Sequence, residues 1–155
     1  MMEELEPAFR AIAEVVVNRR LRRAFEDPEV DPESVARLLE DTDHWDLQLD
    51  VRGLAFTLEK ALGQVARRLR EEPRDQDRLD RLEALVALAD RLPFPVSTWE
   101  AQNHFWAVKE EELPRYRRDV ETGADGREEL DLWLARFEAV AEQLRVRLDP
   151  SEVAV

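Results

Sequence analysis

Cysteine is absent, which excludes a disulfide framework, a thiolate metal site and a cysteine nucleophile. Glycine is scarce, with four in 155 residues, and no Gly-x-Gly-x-x-Gly or Gly-x-x-x-x-Gly-Lys run exists to cradle a phosphate. The three serines, Ser34, Ser97 and Ser151, sit in no Gly-x-Ser-x-Gly elbow, so nucleophilic catalysis is poorly supplied. Apolar runs are short (residues 84–89 are typical), and none could span a membrane. The start, Met1-Met2-Glu3-Glu4, is acidic, whereas a secretory signal opens with positive charge and an apolar stretch. A cytoplasmic protein with no membrane association is expected. Lysine is limited to Lys60 and Lys109, and every other basic residue is arginine.

What is present in excess is acid. Asp plus Glu number 36 against 23 Lys plus Arg, a formal net charge of −13. Residues 1–50 hold 14 acidic and 6 basic residues, residues 51–108 nine of each, and residues 109–155 hold 13 and 8. Such a surface repels phosphate backbones and anionic lipid, so direct nucleic-acid binding is not expected. At 44% hydrophobic the chain can nevertheless build a core, and its length fits one domain over 1–155.

Helical periodicity runs throughout, and no alternating strand pattern of useful length appears. A first helix should run from about Pro7 to Glu26, with Phe9, Ile12, Ala13, Val16 and Ala24 inward. Asp31 should cap a short second helix carrying Val35, Leu38 and Leu39. Residues 41–50 read as a loop. Asp50 should cap a third helix whose inward residues are Leu54, Leu58, Ala61, Leu62, Val65, Ala66 and Leu69. After Pro73 a fourth helix, about Asp75–Leu92, turns Leu79, Leu82, Leu85, Val86 and Ala89 inward. Pro93–Val96 is extended. Ser97, with Glu100 in a reciprocal capping box, should open a fifth helix that Leu113-Pro114 breaks or kinks. Residues 122–126 form the clearest turn. A last helix, about Arg127–Leu148, carries Leu130, Trp133, Leu134, Phe137, Val140, Ala141, Leu144 and Leu148. The expected fold is an all-α bundle of five to six helices with no sheet.

Three constellations could carry chemistry. Asp41, Asp43, His44 and Asp46 form the best metal candidate, since hard cations want clustered oxygens and zinc accepts His with Asp. Their spacing lacks the central Gly and final Glu of a calcium loop, and helix capping, with Trp45 as an anchor, is the favoured use. Arg115, Arg117 and Arg118 beside Tyr116 make a basic-aromatic patch, but Glu110, Glu111, Glu112, Asp119 and Glu121 surround it. A solvated, salt-bridged surface fits better. Carboxylate pairs of the glycosidase kind have no diagnostic value among 36 acids. No cofactor is implied.

The fifth helix is the least ordinary segment. Trp99, Gln102, Asn103 and Trp106 share one face, and Ala101, Phe105 and Val108 share the opposite one. A helix apolar on two faces should be central, with Gln102 and Asn103 as buried amides bonded to residues 93–96 or 41–50. A buried Trp99 would cost about 3–5 kcal/mol on truncation to Ala. The competing use is recognition, because aromatic planes flanked by amides suit sugar rings.

The residues Trp99, Ala101, Gln102, Asn103, Phe105 and Trp106, with the upstream Leu92-Pro93 step, resemble the Trp-x-Ala-Gln-Asn-x-aromatic signature of a helical domain of unknown function. That domain lies C-terminal to the catalytic barrel in some proteins related to glycoside hydrolase family 57. The likeness spans residues 10–108. The barrel with the catalytic carboxylates is absent, so the resemblance carries over no catalytic residue, and the helix after residue 109 has no counterpart. It implies an association with α-glucan or related polysaccharide metabolism, not hydrolysis.

Together these readings predict a non-catalytic helical accessory or protein-interaction module, with a carbohydrate-active enzyme as its partner and Trp99, Gln102, Asn103, Trp106 and Trp133 as its interaction residues. A homo-oligomer is compatible with the sequence. Two other classes are open: an acidic decoy presenting the carboxylates of residues 26–50 in imitation of nucleic acid, and a small metal-dependent enzyme using the Asp41–Asp46 loop.

Overall fold

The computed structural model of the protein describes residues 5–123 and 125–153. The acidic start Met1–Glu4 and Ala124 of the 122–126 turn lie outside the described residues. The described chain is helical, with no strand: α1 (Pro7–Glu26), α2 (Pro32–His44), α3 (Val51–Glu71), α4 (Gln76–Arg91), α5 (Trp99–Glu121), α6 (Arg127–Gln143) and a single turn, α7 (Pro150–Val153). The all-α bundle is as expected, with one short helix more. No described helix is long and apolar enough to cross a membrane.

Side-chain caps start three of the helices where the sequence placed them. Asp31 accepts from the Glu33 N–H, Asp50 from the Gly53 N–H, and Asp75 from the Asp77 and Arg78 N–H groups. At α5 the capping box does not form. Thr98 is the capping residue, and the Ser97 hydroxyl accepts only from the Trp99 N–H, at 3.4 Å. The Ser97 N–H instead donates to the Glu59 carboxylate on α3, at 2.8 Å. Pro114 does not break α5, which continues through it to Glu121.

Helix α3 is the hub, since α1, α4 and α5 all pack on it. Leu54, Leu58, Leu62, Ala66 and Leu69 are fully buried there. The approach of α5 to α3 is close at Gly63, where an added Cβ would meet the Glu100 carboxyl at 2.6 Å. The expectation that α5 is central is therefore corrected. It packs on α3 and also meets α6 and α7 but leaves one face open, and α6 closes the bundle mainly against α4. A contiguous buried cluster runs from Val17 to Leu144.

Helix α1 is rotated relative to expectation. Its buried residues are Val17, Leu21 and Phe25, while Phe9, Ile12 and Val16 are exposed. The cause is a polar row at four-residue steps. Arg10 donates to the Asp46 carbonyl, Glu14 accepts from the Gln48 N–H, and Asn18 donates to the Gln48 carbonyl and accepts from the Asp50 N–H. Arg22 pairs with Asp50. Residues 46–50 are non-helical and need partners for their backbone groups. Supplying them fixes the rotation of α1.

Two helix ends differ from the sequence reading for one reason. α2 extends to His44, so residues 41–44 are helical rather than loop, and Asp46 then takes a left-handed φ of 50°. The Leu47 N–H returns to the Thr42 carbonyl. α6 stops at Gln143 instead of Leu148, with Arg145 left-handed at φ 58° and the Val146 N–H returned to the Ala141 carbonyl. Both are the closing geometry that usually takes glycine.

Candidate functional site

The amphipathic pattern of α5 sorts its aromatic residues into two environments. Phe105 is fully buried and stacks on Phe137 of α6, centroids 4.4 Å apart. Phe137 stacks in turn on Trp133, and Trp133 lies 5.9 Å from Tyr116, making an aromatic row inside the core. Trp133 is 1% exposed, and its indole N–H donates to the Pro73 carbonyl at 2.8 Å. As an interaction residue Trp133 is thus corrected: it is core. The α6 stripe that contains it has a covered neighbour in α4.

The other face of α5 is open. Trp99 is 69% exposed and Trp106 49%, with Asn103 exposed between them. The spacing of four and three residues puts all three in line. Gln102, half-buried, donates to the Leu144 carbonyl at 2.7 Å, satisfying a carbonyl at the end of α6. The expected partner, residues 93–96 or 41–50, is thus replaced by the end of α6, and Asn103 is not a buried amide. Trp99 as a core residue is likewise corrected.

Lys109, which the sequence reading passed over, completes this face. Its ammonium sits 4.0 Å from the Trp106 ring centroid and is only 5% exposed. It pairs with Glu152 of α7 at 3.3 Å and Glu110 at 3.6 Å. A cation held against one face of an indole leaves the other face for a ligand. Its scarcity, one of two lysines in an arginine-rich chain, was the available signal. His104 lies half-buried, 3.9 Å from Glu100.

The Asp41, Asp43, His44 and Asp46 constellation does not assemble. Three of the four sit on the final turns of α2, the His44 ring meets Trp45 edge-on, and Asp46 pairs with Arg10 at 3.7 Å. Among the described residues no group of three or more His, Asp and Glu is placed to hold a metal ion. The Arg115–Arg118 patch is only partly satisfied: Arg118 donates to the Pro114 carbonyl at 3.4 Å, whereas the Nε and one terminal nitrogen of Arg117 are buried with no partner among the described residues. Arg115 pairs with buried Glu112 at 2.9 Å rather than with Glu111, which faces Arg70. Tyr116 is buried, its phenol pushed up by burial and by Asp131, to which its O–H donates.

The Ser34 hydroxyl holds the Asp31 carboxyl below the usual carboxylate range, and the Ser151 N–H and hydroxyl do the same for Asp149. A glycosidase acid requires the opposite shift. A concavity of about 690 Å³ between the end of α1, α3 and α4 has Phe25, Phe56 and Val65 among its lining. Its Lys60, Arg68, Arg78 and Arg81 outnumber Glu26, Glu71 and Asp77 by one. Comparison with protein-family models, curated proteins and solved structures finds no match to this chain.

Proposed function

We propose that this protein is a non-catalytic helical accessory module that docks a protein partner through the outer face of α5, acting in the cytoplasm. The observation that carries the reading is the exposed pair Trp99 and Trp106, in line with Asn103 and backed by Lys109. Large aromatic residues dominate binding energy at interfaces and are unusual as solitary solvent-facing side chains on a helix whose other face is fully used. The resemblance of this segment to the helical domain accompanying family 57 glycoside hydrolases supports a polysaccharide-acting enzyme as the partner.

The test is affinity capture from extract of the native organism with the wild-type chain and with the Trp99→Ala/Trp106→Ala double variant. A polysaccharide-acting enzyme retained by the first and lost by the second is expected. Retention unchanged by the double variant overturns the α5 reading. Tryptophan fluorescence titrated with α-glucans separates a protein dock from a sugar-binding face.

A second reading has its own observation. Glu26, Asp27, Glu29, Asp31, Glu33, Glu40, Asp41, Asp43, Asp46 and Asp50 are all exposed. Such an array supports a nucleic-acid-mimicking decoy. Capture of a basic DNA-handling protein that elutes steeply with salt would favour it over the α5 dock.

A further inference from the structure

Two donors of Arg117 on α5, Nε and Nη2, are buried without a partner among the described residues. Their N–H groups lie on one edge of the guanidinium. That edge grips a carboxylate or phosphate through two parallel hydrogen bonds. Arg81 leaves one terminal nitrogen in the same state, but its other one donates to the Phe25 carbonyl at 3.4 Å. A desolvated cationic donor with nothing to bond is costly, so the Arg117 edge calls for an acceptor.

Arg117 lines a concavity of about 210 Å³ between α5 and α7, with Lys109, Arg118, Leu113 and Pro114. The acids in its wall, Glu110 and Glu152, both pair with Lys109, at 3.6 and 3.3 Å. Arg118 donates to the Pro114 carbonyl and, like Arg117, forms no ion pair among the described residues. Pairing within the wall therefore leaves two guanidinium charges and no carboxylate. Asp149, just ahead of α7, lies within the field of Lys109 and Arg117, but its carboxylate accepts from the Ser151 N–H and hydroxyl.

We propose that this concavity binds the phosphate group of a small phosphomonoester. The Arg117 edge takes two phosphate oxygens as the side chain swings into the concavity, and Arg118 supplies charge to a third. A carboxylate has only the two oxygens and would leave Arg118 unused. The volume is below the roughly 300–1,000 Å³ of pockets for drug-sized ligands, so the ester is small. Leu113 and Pro114 give its carbon part an apolar wall. The net charge of −13 opposes a polyanion that must lie along the surface. It acts less on one phosphate in contact with its donors, because exposed charges beyond about 8 Å are screened at physiological salt. The site is separate from the proposed dock, whose tryptophans lie toward the start of α5.

Calorimetric titration of the full chain with inorganic phosphate, glycerol 3-phosphate and acetate, at matched ionic strength, tests the proposal. Both phosphates should bind saturably in the millimolar range or below, the ester at least as tightly, and acetate more weakly than either. Arg117→Lys keeps the charge but loses the paired donors. It should weaken phosphate about tenfold or more, the worth of one charge-assisted hydrogen bond. Glu152→Gln still offers an acceptor to the Asp149 N–H and removes an acid from the wall, so it should tighten phosphate. Arg117→Gln should melt no lower than wild type, since the buried edge contributes no bond to the fold. Trp99→Ala/Trp106→Ala should leave phosphate binding unchanged, so this inference and the α5 dock stand or fall separately. No saturable phosphate binding, binding indifferent to Arg117→Lys, acetate bound as well as phosphate, or a clear fall in the melting temperature of Arg117→Gln would overturn the proposal.

Discussion

Trp99, Trp106 and Trp133 occur in similar surroundings in the sequence, yet the fold treats them differently. Trp133 is 1% exposed, bonded to Pro73 and wedged between Phe137 and Tyr116. Trp133→Ala should cost about 3–5 kcal/mol, because the cavity it leaves is lined by stacked rings that cannot collapse into it. Trp99→Ala should stay within about 0.5 kcal/mol of wild type. Trp106→Ala should lose up to about 1 kcal/mol with its cation–π contact. Chemical denaturation midpoints of the three variants check the ordering, and a large loss at Trp99 would return that residue to the core. Periodicity could not separate these cases. It shows which residues share a face, but not which faces acquire a neighbour.

At the scale of the element, most starts were legible and several ends were not. Asp31, Asp50 and Asp75 announce helices by local chemistry, a carboxylate beside free N–H groups, and the structure uses each that way. The ends of α2 and α6 were not legible because Asp46 and Arg145 adopt a conformation usually left to glycine. The rotation of α1 was hidden for another reason. It has two apolar stripes, and the choice between them is made by hydrogen bonds to residues thirty or more positions away. Pro114 shows a local rule overridden. Proline removes the N–H that would bond the Glu110 carbonyl, yet Leu113 and Tyr116 on either side are buried and hold the helix together. Pro114→Ala should therefore raise stability, by about 1–3 kcal/mol, since alanine restores the bond and its ring-free side chain relieves the preceding turn. An upward shift in thermal midpoint is expected, and a fall would mean that the proline shapes a contact the bundle needs.

At the scale of the molecule, the class of fold followed from periodicity, whereas the identity of the hub did not. α5 reads as apolar on two faces, but α3 holds the centre because it alone meets α1, α4 and α5. The far end of the bundle is tied by charge. Glu112, 3% exposed, accepts from Arg74 of the α3–α4 connection at 3.1 Å and from Arg115 at 2.9 Å. Arg74 also pairs with Asp119 at 2.7 Å and lies 5.9 Å from the Trp133 ring centroid. Glu112→Ala should destabilise by about 1–3 kcal/mol. That is less than the loss of a fully buried partner, because both arginines can turn to solvent. Urea titration at neutral pH measures it, and a loss below about 0.5 kcal/mol would show the network to be idle.

The closing role of α6 also bears on how the chain leaves the ribosome. Trp133 bonds Pro73 across 60 residues, and Arg136 reaches back to Asp80 across 56. At elongation rates of about 5–20 residues per second, the growing chain must wait about 3–12 s between making α4 and making its cover. For that interval the flank of α4 that α6 will hide is open on a nascent polypeptide. The seconds between the fourth helix and the sixth are thus the window in which this chain is most exposed to chaperones and to misassociation.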